Sequence, residues 1–229
     1  MFPLNAVLFP GVSVPLTVFE DRYRALVHHL LRVDPEERYF GSVGIREGYE
    51  VGEHGAQSLF RIGCRVKMTD VEAHADGTFS LVAVGLERIS LEHLDVTGTY
   101  PVGQVVDRPE SPGQVDPEVV ELAQATFIAY RTLLMEFRDD PYPYPLPQDP
   151  AFLSWTLAAV APLPLQERQA LLEAEDAELR LMMVTELLRT ELRAMNVIPS
   201  LPATEVARTR WSPTRWRRSQ RGEHPPPSR

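Results

Sequence analysis

FPLNAVLFPGVSVPLTVFEDRYRALV, residues 2–27, decides how this chain folds. Three prolines and one glycine interrupt its apolar runs before an amphipathic segment begins. Pro10-Gly11 reads as a turn. Pro15 restricts the extended run Val14–Val18 to edge-like pairing, because proline has no amide proton for a second neighbour. Phe19 stands where a hydrophobic staple pins a helix entry, with Glu20 or Asp21 placed to accept the first orphan amide protons. From Asp21 to Val33, residues Tyr23, Leu26, Val27, Leu30 and Leu31 fall on one stripe while the charged residues mostly point away, which predicts a helix. Asp34-Pro35 ends it, since proline disfavours helical geometry in the residue before it.

Outward from that stretch, short β-type runs punctuated by glycine continue to about Val106. They are Val7–Phe9, Val14–Val18, Tyr39–Arg46, Leu59–Thr69, Thr78–Leu86, Ile89–Val96 and Gly103–Val106. Seven such strands predict a barrel or sandwich, with the early helix across an open end or face of it. His74-Ala75-Asp76-Gly77 supplies the clearest hairpin turn, and Gly85 and Gly98 mark bends or turns. After residue 113 the pattern turns helical: Asp116-Pro117 caps a helix to about Arg138 carrying Val119, Ala123, Phe127, Tyr130, Leu134 and Phe137. DDPYPYPLPQDP holds five prolines and cannot continue it. Asp149-Pro150 opens an apolar helix to about Ala161, a short helix follows from Leu165 to Glu173, and a longer one runs from Asp176 to about Asn196. The expected organisation is α+β: a β-rich unit over residues 1–108, a four-helix bundle over 114–198 and a disordered tail over 203–229.

Charge divides the chain in the same way. Residues 203–229 carry seven Arg and two Glu, so within a total of -9 the preceding 202 residues hold -14. An acidic body disfavours phosphate backbones, leaving the tail, with Arg210, Trp211, Arg215 and Trp216, as the place for nucleic-acid contact. No run approaches the roughly 18–20 apolar residues of a membrane helix, and the start lacks the features of a secretory signal. The single Cys64 cannot form an internal disulfide and sits in the apolar run RIGCRV as a small buried hydrophobe. A cytoplasmic protein is expected.

Known chemistry is excluded motif by motif. The one lysine, Lys67, follows FRIGCRV, which is not a phosphate-cradling GxxxxGK[ST] loop. Neither SxxK nor GxSxG occurs; Gly11-Val12-Ser13-Val14-Pro15 fails at its last position. His28 and His29 face about 100° apart on a helix, too far around to share one ion, and HExxH and CxxC are both missing. Glu173, Glu175, Asp176 and Glu178 cluster at a helix start, where negative charge complements the dipole. No catalytic residue, metal or cofactor is expected.

The opening stretch resembles the start of the N-terminal substrate-binding domain of Lon-type ATP-dependent proteases, in the pattern FPL-x-x-VLFPG-x-x-x-PL-x-x-FE-x-RYR. Gly63-Cys64-Arg65-Val66 is similar to that family's G-T-x-A strand, with Cys64 a departure. Gly85-Leu86-Glu87-Arg88-Ile89 is similar to its G-x-x-R-[IVF] strand, and ERQALLEAEDAELRLMMVTELLRTEL to its helical end. The resemblance spans residues 1 to about 198 and implies a β-rich, PUA-like barrel followed by a helical bundle that contacts unfolded or degradation-tagged polypeptides. The sequence given stops where the family's ATPase would begin, so the expectation is a solitary, non-enzymatic polypeptide-binding module. It would act as an adaptor for a separate protease or as a holding factor in protein quality control. Phe9, Pro10, Phe19 and Tyr23 at the strand–helix junction, and Tyr142 and Tyr144 among the prolines, are the candidate contacts for an apolar client. A nucleic-acid-associated PUA-like protein using the Arg/Trp tail is the alternative.

Overall fold

The computed structural model describes residues 1–46, 58–111, 113–137 and 139–197. Its strands are β1 (Phe2–Leu4), β2 (Ser13–Val18), β3 (Tyr39–Ile45), β4 (Leu59–Ala73), β5 (Phe79–Asp95) and β6 (Val102–Asp107). They form one mixed sheet in the order β1-β3-β4-β5-β2, with β6 also paired to β5. β1 runs parallel to β3, and every other pairing is antiparallel. Among the described residues β1 and β2 are the two ends of that order, and no pairing joins them into a closed barrel.

Helix α1 (Asp21–Leu30) presents Tyr23, Leu26, Val27 and Leu30 to the sheet, where they share a core with Phe2, Phe40, Val66, Phe79 and Leu81. It ends at Leu30, earlier than the expected Val33, and leaves Leu31 exposed. The entry also differs from expectation. Glu20 occupies the capping position but its side chain caps no amide, because Arg22 holds it in an ion pair at 3.0 Å. Asp34 does act as a cap, its Oδ1 accepting from Glu36 N at 2.9 Å ahead of a short 3-10 turn.

Two expected strands correspond to the single β5. Gly85 does not end it; Gly85 sits where the register with β4 slips, and its amide donates to the Val12 carbonyl at 3.1 Å. A Cβ at Gly85 would strike the carbonyl oxygen of Phe9, so the Phe9-Pro10-Gly11 turn can press against β5 only over a glycine. Gly11, at φ +73°, makes the tight reversal and lies under the Phe152 ring. Val7–Phe9 is therefore a loop and not the expected strand; the first strand is Phe2–Leu4. Its alternation is still real: Val7 and Phe9 enter the helical core, while Leu8 between them enters the sheet core. The Asp-Gly hairpin forms as read, with Gly77 at φ +80° and its amide donating to the His74 carbonyl.

Four helices follow: α2 (Pro117–Leu134), α3 (Pro150–Val160), α4 (Leu165–Glu173) and α5 (Ala177–Val197). Asp116, Asp149 and Asp176 cap α2, α3 and α5 by accepting from Glu118, Phe152 and Leu179 amides at 2.7–2.9 Å. Their buried stripes merge around Phe127, Tyr130, Leu157, Leu171, Leu181 and Leu188. α2 ends at Leu134, so Phe137 is exposed instead of joining the stripe. α3 is apolar on all sides because α4 and α5 both pack on it.

Arginines fasten the helices to the sheet. Arg88 of β5 donates to the carbonyls of Leu172, Ala174 and Glu175, which lie at and beyond the C-terminus of α4. Arg168 does the same for Ala159 and Ala161 at the end of α3 and reaches the Val7 carbonyl at 3.3 Å. Arg180 is wholly buried, donating to Leu171 O, Ser154 Oγ and Glu110 Oε1 with its guanidinium over the Trp155 ring. Helix ends expose unsatisfied carbonyls, and cations are the side chains that satisfy them.

Candidate functional site

The sequence-derived binding residues separate into three places. Phe9 and Pro10 are buried at the sheet–helix seam; Phe9 is 1% exposed, packs 6.0 Å from the Trp155 ring and lies beneath the Arg168 guanidinium. Both are packed inside the seam, where they pin the turn. Tyr142 and Tyr144 pack edge-to-face, 5.4 Å apart, on the helical side. Tyr142 leans on the helical core and its carbonyl accepts from Arg131 Nη1 at 3.1 Å, while Tyr144 is partly exposed. Arg210, Trp211, Arg215 and Trp216, with the expected disordered tail, lie outside the described residues.

Phe19 and Tyr23 remain, and the fold brings them together. They share a groove of about 180 Å³ with Phe2 and Leu4 of β1, Pro15–Val18 of β2, and Glu20. The groove therefore lies between the two terminal strands of the sheet. Most of its lining is apolar; Tyr23 in it is buried, and Phe19 leaves 56% of its surface in solvent. Glu20 is its one carboxylate, held by Arg22. Neighbouring Asp21 extends into solvent and pairs with Arg24 at 2.9 Å.

The backbone of β2 adds a second property. Gly85 O accepts from Gly11 N while Gly85 N donates to Val12 O, a glycine bulge; with Ser13 opposite Val84, parity then turns the backbone groups of Val14, Leu16 and Val18 toward β5. Ser13, Pro15 and Thr17 consequently turn their backbone groups away from β5. Pro15 sits where its missing amide breaks no ladder, as the sequence anticipated. The outward edge of β2 thus presents the N–H and C=O of Ser13 and Thr17 and the C=O of Pro15 beside an apolar groove. An extended chain supplies the matching arrangement: backbone donors and acceptors in a row, with alternate side chains on one side.

Sequence reasoning missed the wall residues Phe2, Leu4, Leu16 and Val18, because the residues across the gap belong to strands at opposite ends of the sheet order. Pro15 was the available signal for the edge. A larger hollow of about 520 Å³ is lined by Arg46, Leu59, Phe60, Arg61, Glu92 and Glu173, among others. It is open, with Leu59, Phe60, Leu91 and Leu94 beside its charged residues; its Arg61 and Glu92 charges meet at 2.5 Å, and it borders residues 47–57, which are not described.

The remaining reactive groups are quiet. Burial pushes the Cys64 thiol up to about 12, which removes its thiolate at neutral pH. Lys67 is paired with Glu36 at 2.6 Å. His28 and His29 contact different rings, Phe79 and Tyr100, and among the described residues no group of His, Cys, Asp and Glu could hold a metal ion. No helix among them is long and apolar enough to cross a membrane.

Comparison with known proteins agrees with this architecture. The family model for the ATP-dependent protease La (LON) substrate-binding domain matches residues 1–190. A Lon protease of Elusimicrobium minutum is 25% identical over 205 residues, covering 84% of this chain and 23% of that protein. Lon protease 2 of Myxococcus xanthus is 27% identical over 222 residues, covering 90% of this chain and 25% of that one. The chain spans about a quarter of the length of these relatives. Among solved structures, a Lon N-terminal domain protein from Xanthomonas campestris superimposes with a TM-score of 0.58 at 28% identity, covering 80% of this chain and 94% of that one. The N-terminal domain of Mycobacterium avium complex Lon protease gives 0.57 at 18% identity, over 82% and 96% of the two chains, a likeness of fold.

Proposed function

The chain belongs to the Lon substrate-binding domain family, and on that premise we propose that it is a non-enzymatic polypeptide-binding module whose client site is the groove between β1 and β2. The observation that carries the reading is the coincidence, in one place, of an apolar hollow, a half-exposed Phe19 and an outward-facing strand edge. Each feature alone has a structural explanation; together they match an extended segment with an apolar anchor. The client is an unfolded or tagged polypeptide, held for or handed to a separate protease. Apolar burial supplies most of the affinity, so binding survives high salt.

The test is fluorescence anisotropy of fluorescein-labelled, reduced and carboxymethylated α-lactalbumin, titrated with the full chain at moderate and high salt. Saturable, salt-tolerant binding that weakens in Phe19→Ala supports the reading. Binding unaffected by Phe19→Ala moves the site elsewhere, and no binding removes the generic unfolded client. The nucleic-acid alternative rests on the tail and predicts salt-sensitive RNA binding lost when the tail arginines are replaced.

A further inference from the structure

We propose that Pro15 is a specificity-determining residue of the β2 edge: it bars a second copy of this chain from pairing there while leaving the edge open to a foreign extended segment. That the guarded edge serves clients rests on the β1–β2 groove being the polypeptide site; the exclusion of a second copy rests on β2 alone.

The composition of β2 sets the hazard. Among the described residues it pairs only with β5, so its other side is an edge. Ser13-Val14-Pro15-Leu16-Thr17-Val18 has no charged residue and is rich in β-branched side chains, the composition that invites edge-to-edge pairing. Its six residues are an ordinary strand length, so shortness gives no protection. Charge gives none either: Glu20 pairs with Arg22 and Asp21 with Arg24, which leaves the end of the strand locally neutral.

Two copies would meet antiparallel about a two-fold axis through Pro15. Ser13 would then face Thr17 of the copy, a hydroxyl pair that sheets favour, and Pro15 would face its own equivalent. These are the residues whose backbone groups turn outward, and each such pair exchanges two hydrogen bonds. At the centre both bonds are lost, because neither proline has an amide proton; two pyrrolidine rings and two unpaired carbonyls meet there instead. Sliding the copies by two residues sets Pro15 against Ser13 or Thr17 and shortens the overlap.

A client meets a different edge. Its own amide donates to the Pro15 carbonyl, and it loses only the bond that Pro15 cannot give. The same device recurs across the gap, where β1 is three residues long with Pro3 at its centre.

The experiment compares full-length wild type, Pro15→Val and Pro15→Val/Thr17→Pro by sedimentation equilibrium. Pro15 is exposed and its backbone faces away from β5, so valine restores the central amide without disturbing the sheet. Pro15→Ala repeats the test with the amide and no β-branch, and decides it if the valine variant does not fold. Two regained hydrogen bonds predict self-association about tenfold stronger in Pro15→Val than in wild type. Pro15→Ala should move in the same direction, and adding Thr17→Pro should return the protein to the wild-type level. Amide exchange places the contact: in Pro15→Val the Ser13 and Thr17 amides should slow with rising protein concentration, and in wild type they should not.

Wild type and the Pro15 variants associating alike, strongly or not at all, overturns the proposal. So does new association that leaves the Ser13 and Thr17 amides exchanging freely. The client reading fails separately, through binding of the labelled α-lactalbumin probe that Phe19→Ala leaves unchanged; concentration-dependent protection in Pro15→Val would still uphold the exclusion of a copy. Probe binding that Phe19→Ala weakens, beside a Pro15→Val no more associated than wild type, keeps the client site and overturns the guard.

Discussion

Two seams of this molecule are built in opposite ways. Where the sheet meets the helices, Arg88, Arg168 and Gln169 reach carbonyls across the seam, Arg180 ties α5 to α4 and α3, and Phe9 and Trp155 fill the space between them. Where β1 approaches β2, the outer backbone groups of β2 face away from the sheet, an apolar hollow stays open and Phe19 stands in solvent. Most polar groups of this seam are spent inside it, since a buried polar group without a partner costs about 1–3 kcal/mol, and only Arg88 Nε and Gln169 Oε1 of the side chains named here lack one. An edge left with donors, acceptors and apolar surface is equipped for another chain. The lesson is that an aromatic motif residue says nothing about function until its seam is known: Phe9 and Phe19 share the opening motif, yet one is buried and the other stands in solvent.

Breaking the closed seam should have the largest effect. Arg180→Ala removes a buried cation from Leu171 O, Ser154 Oγ, Glu110 and the Trp155 ring, and a loss of about 3 kcal/mol in urea unfolding is expected. A change below about 1 kcal/mol would show the seam to be less closed than described. Gly85→Ala comes next. Its Cβ must displace the Phe9 carbonyl or shift β5, for an expected cost of about 2 kcal/mol, while Phe19 is untouched.

At the open seam the pattern reverses. Phe19→Ala should leave stability within about 0.5 kcal/mol of wild type, because the ring is largely in solvent, yet weaken client binding about tenfold. Equal loss of stability and binding would merge the two seams into one. The smallest effect concerns Cys64, beside Gly85 in the core. The native chain should resist iodoacetamide near pH 8, and the chain in concentrated urea should react. The thiol sits at about 12 when folded, above its ordinary 9.0, so its contribution to stability is whole below 9.0 and falls away as pH climbs toward 12.

Much of this architecture was legible in local pattern. The Asp-Pro caps of α2 and α3, the Asp76-Gly77 hairpin and the α1 stripe each depend on residues a few positions apart, so their physics is contained in the sequence. What was not legible depends on distant partners. Val7–Phe9 alternates like a strand because its side chains serve two cores, and only the approach of β5 over Gly85 makes it a loop. Glu20 should cap α1 by position, but Arg22 offers it a stronger partner. For the proposed site, the motif singles out Phe9, Pro10, Phe19 and Tyr23 alike, and only the folded chain sets Phe19 and Tyr23 beside one hollow and Phe9 and Pro10 in the seam. Sequence reasoning had no means of pairing Phe2 and Leu4 with Leu16 across a gap that exists only in the folded sheet.

The most direct test of the central claim is amide chemical-shift mapping of the full chain as the labelled α-lactalbumin probe is added. The account predicts changes concentrated at Phe2–Leu4 and Ser13–Tyr23, with the outward amides of Ser13 and Thr17 gaining protection from exchange. Changes confined to α2–α5, or to the 520 Å³ hollow around Arg61 and Glu92, would contradict it.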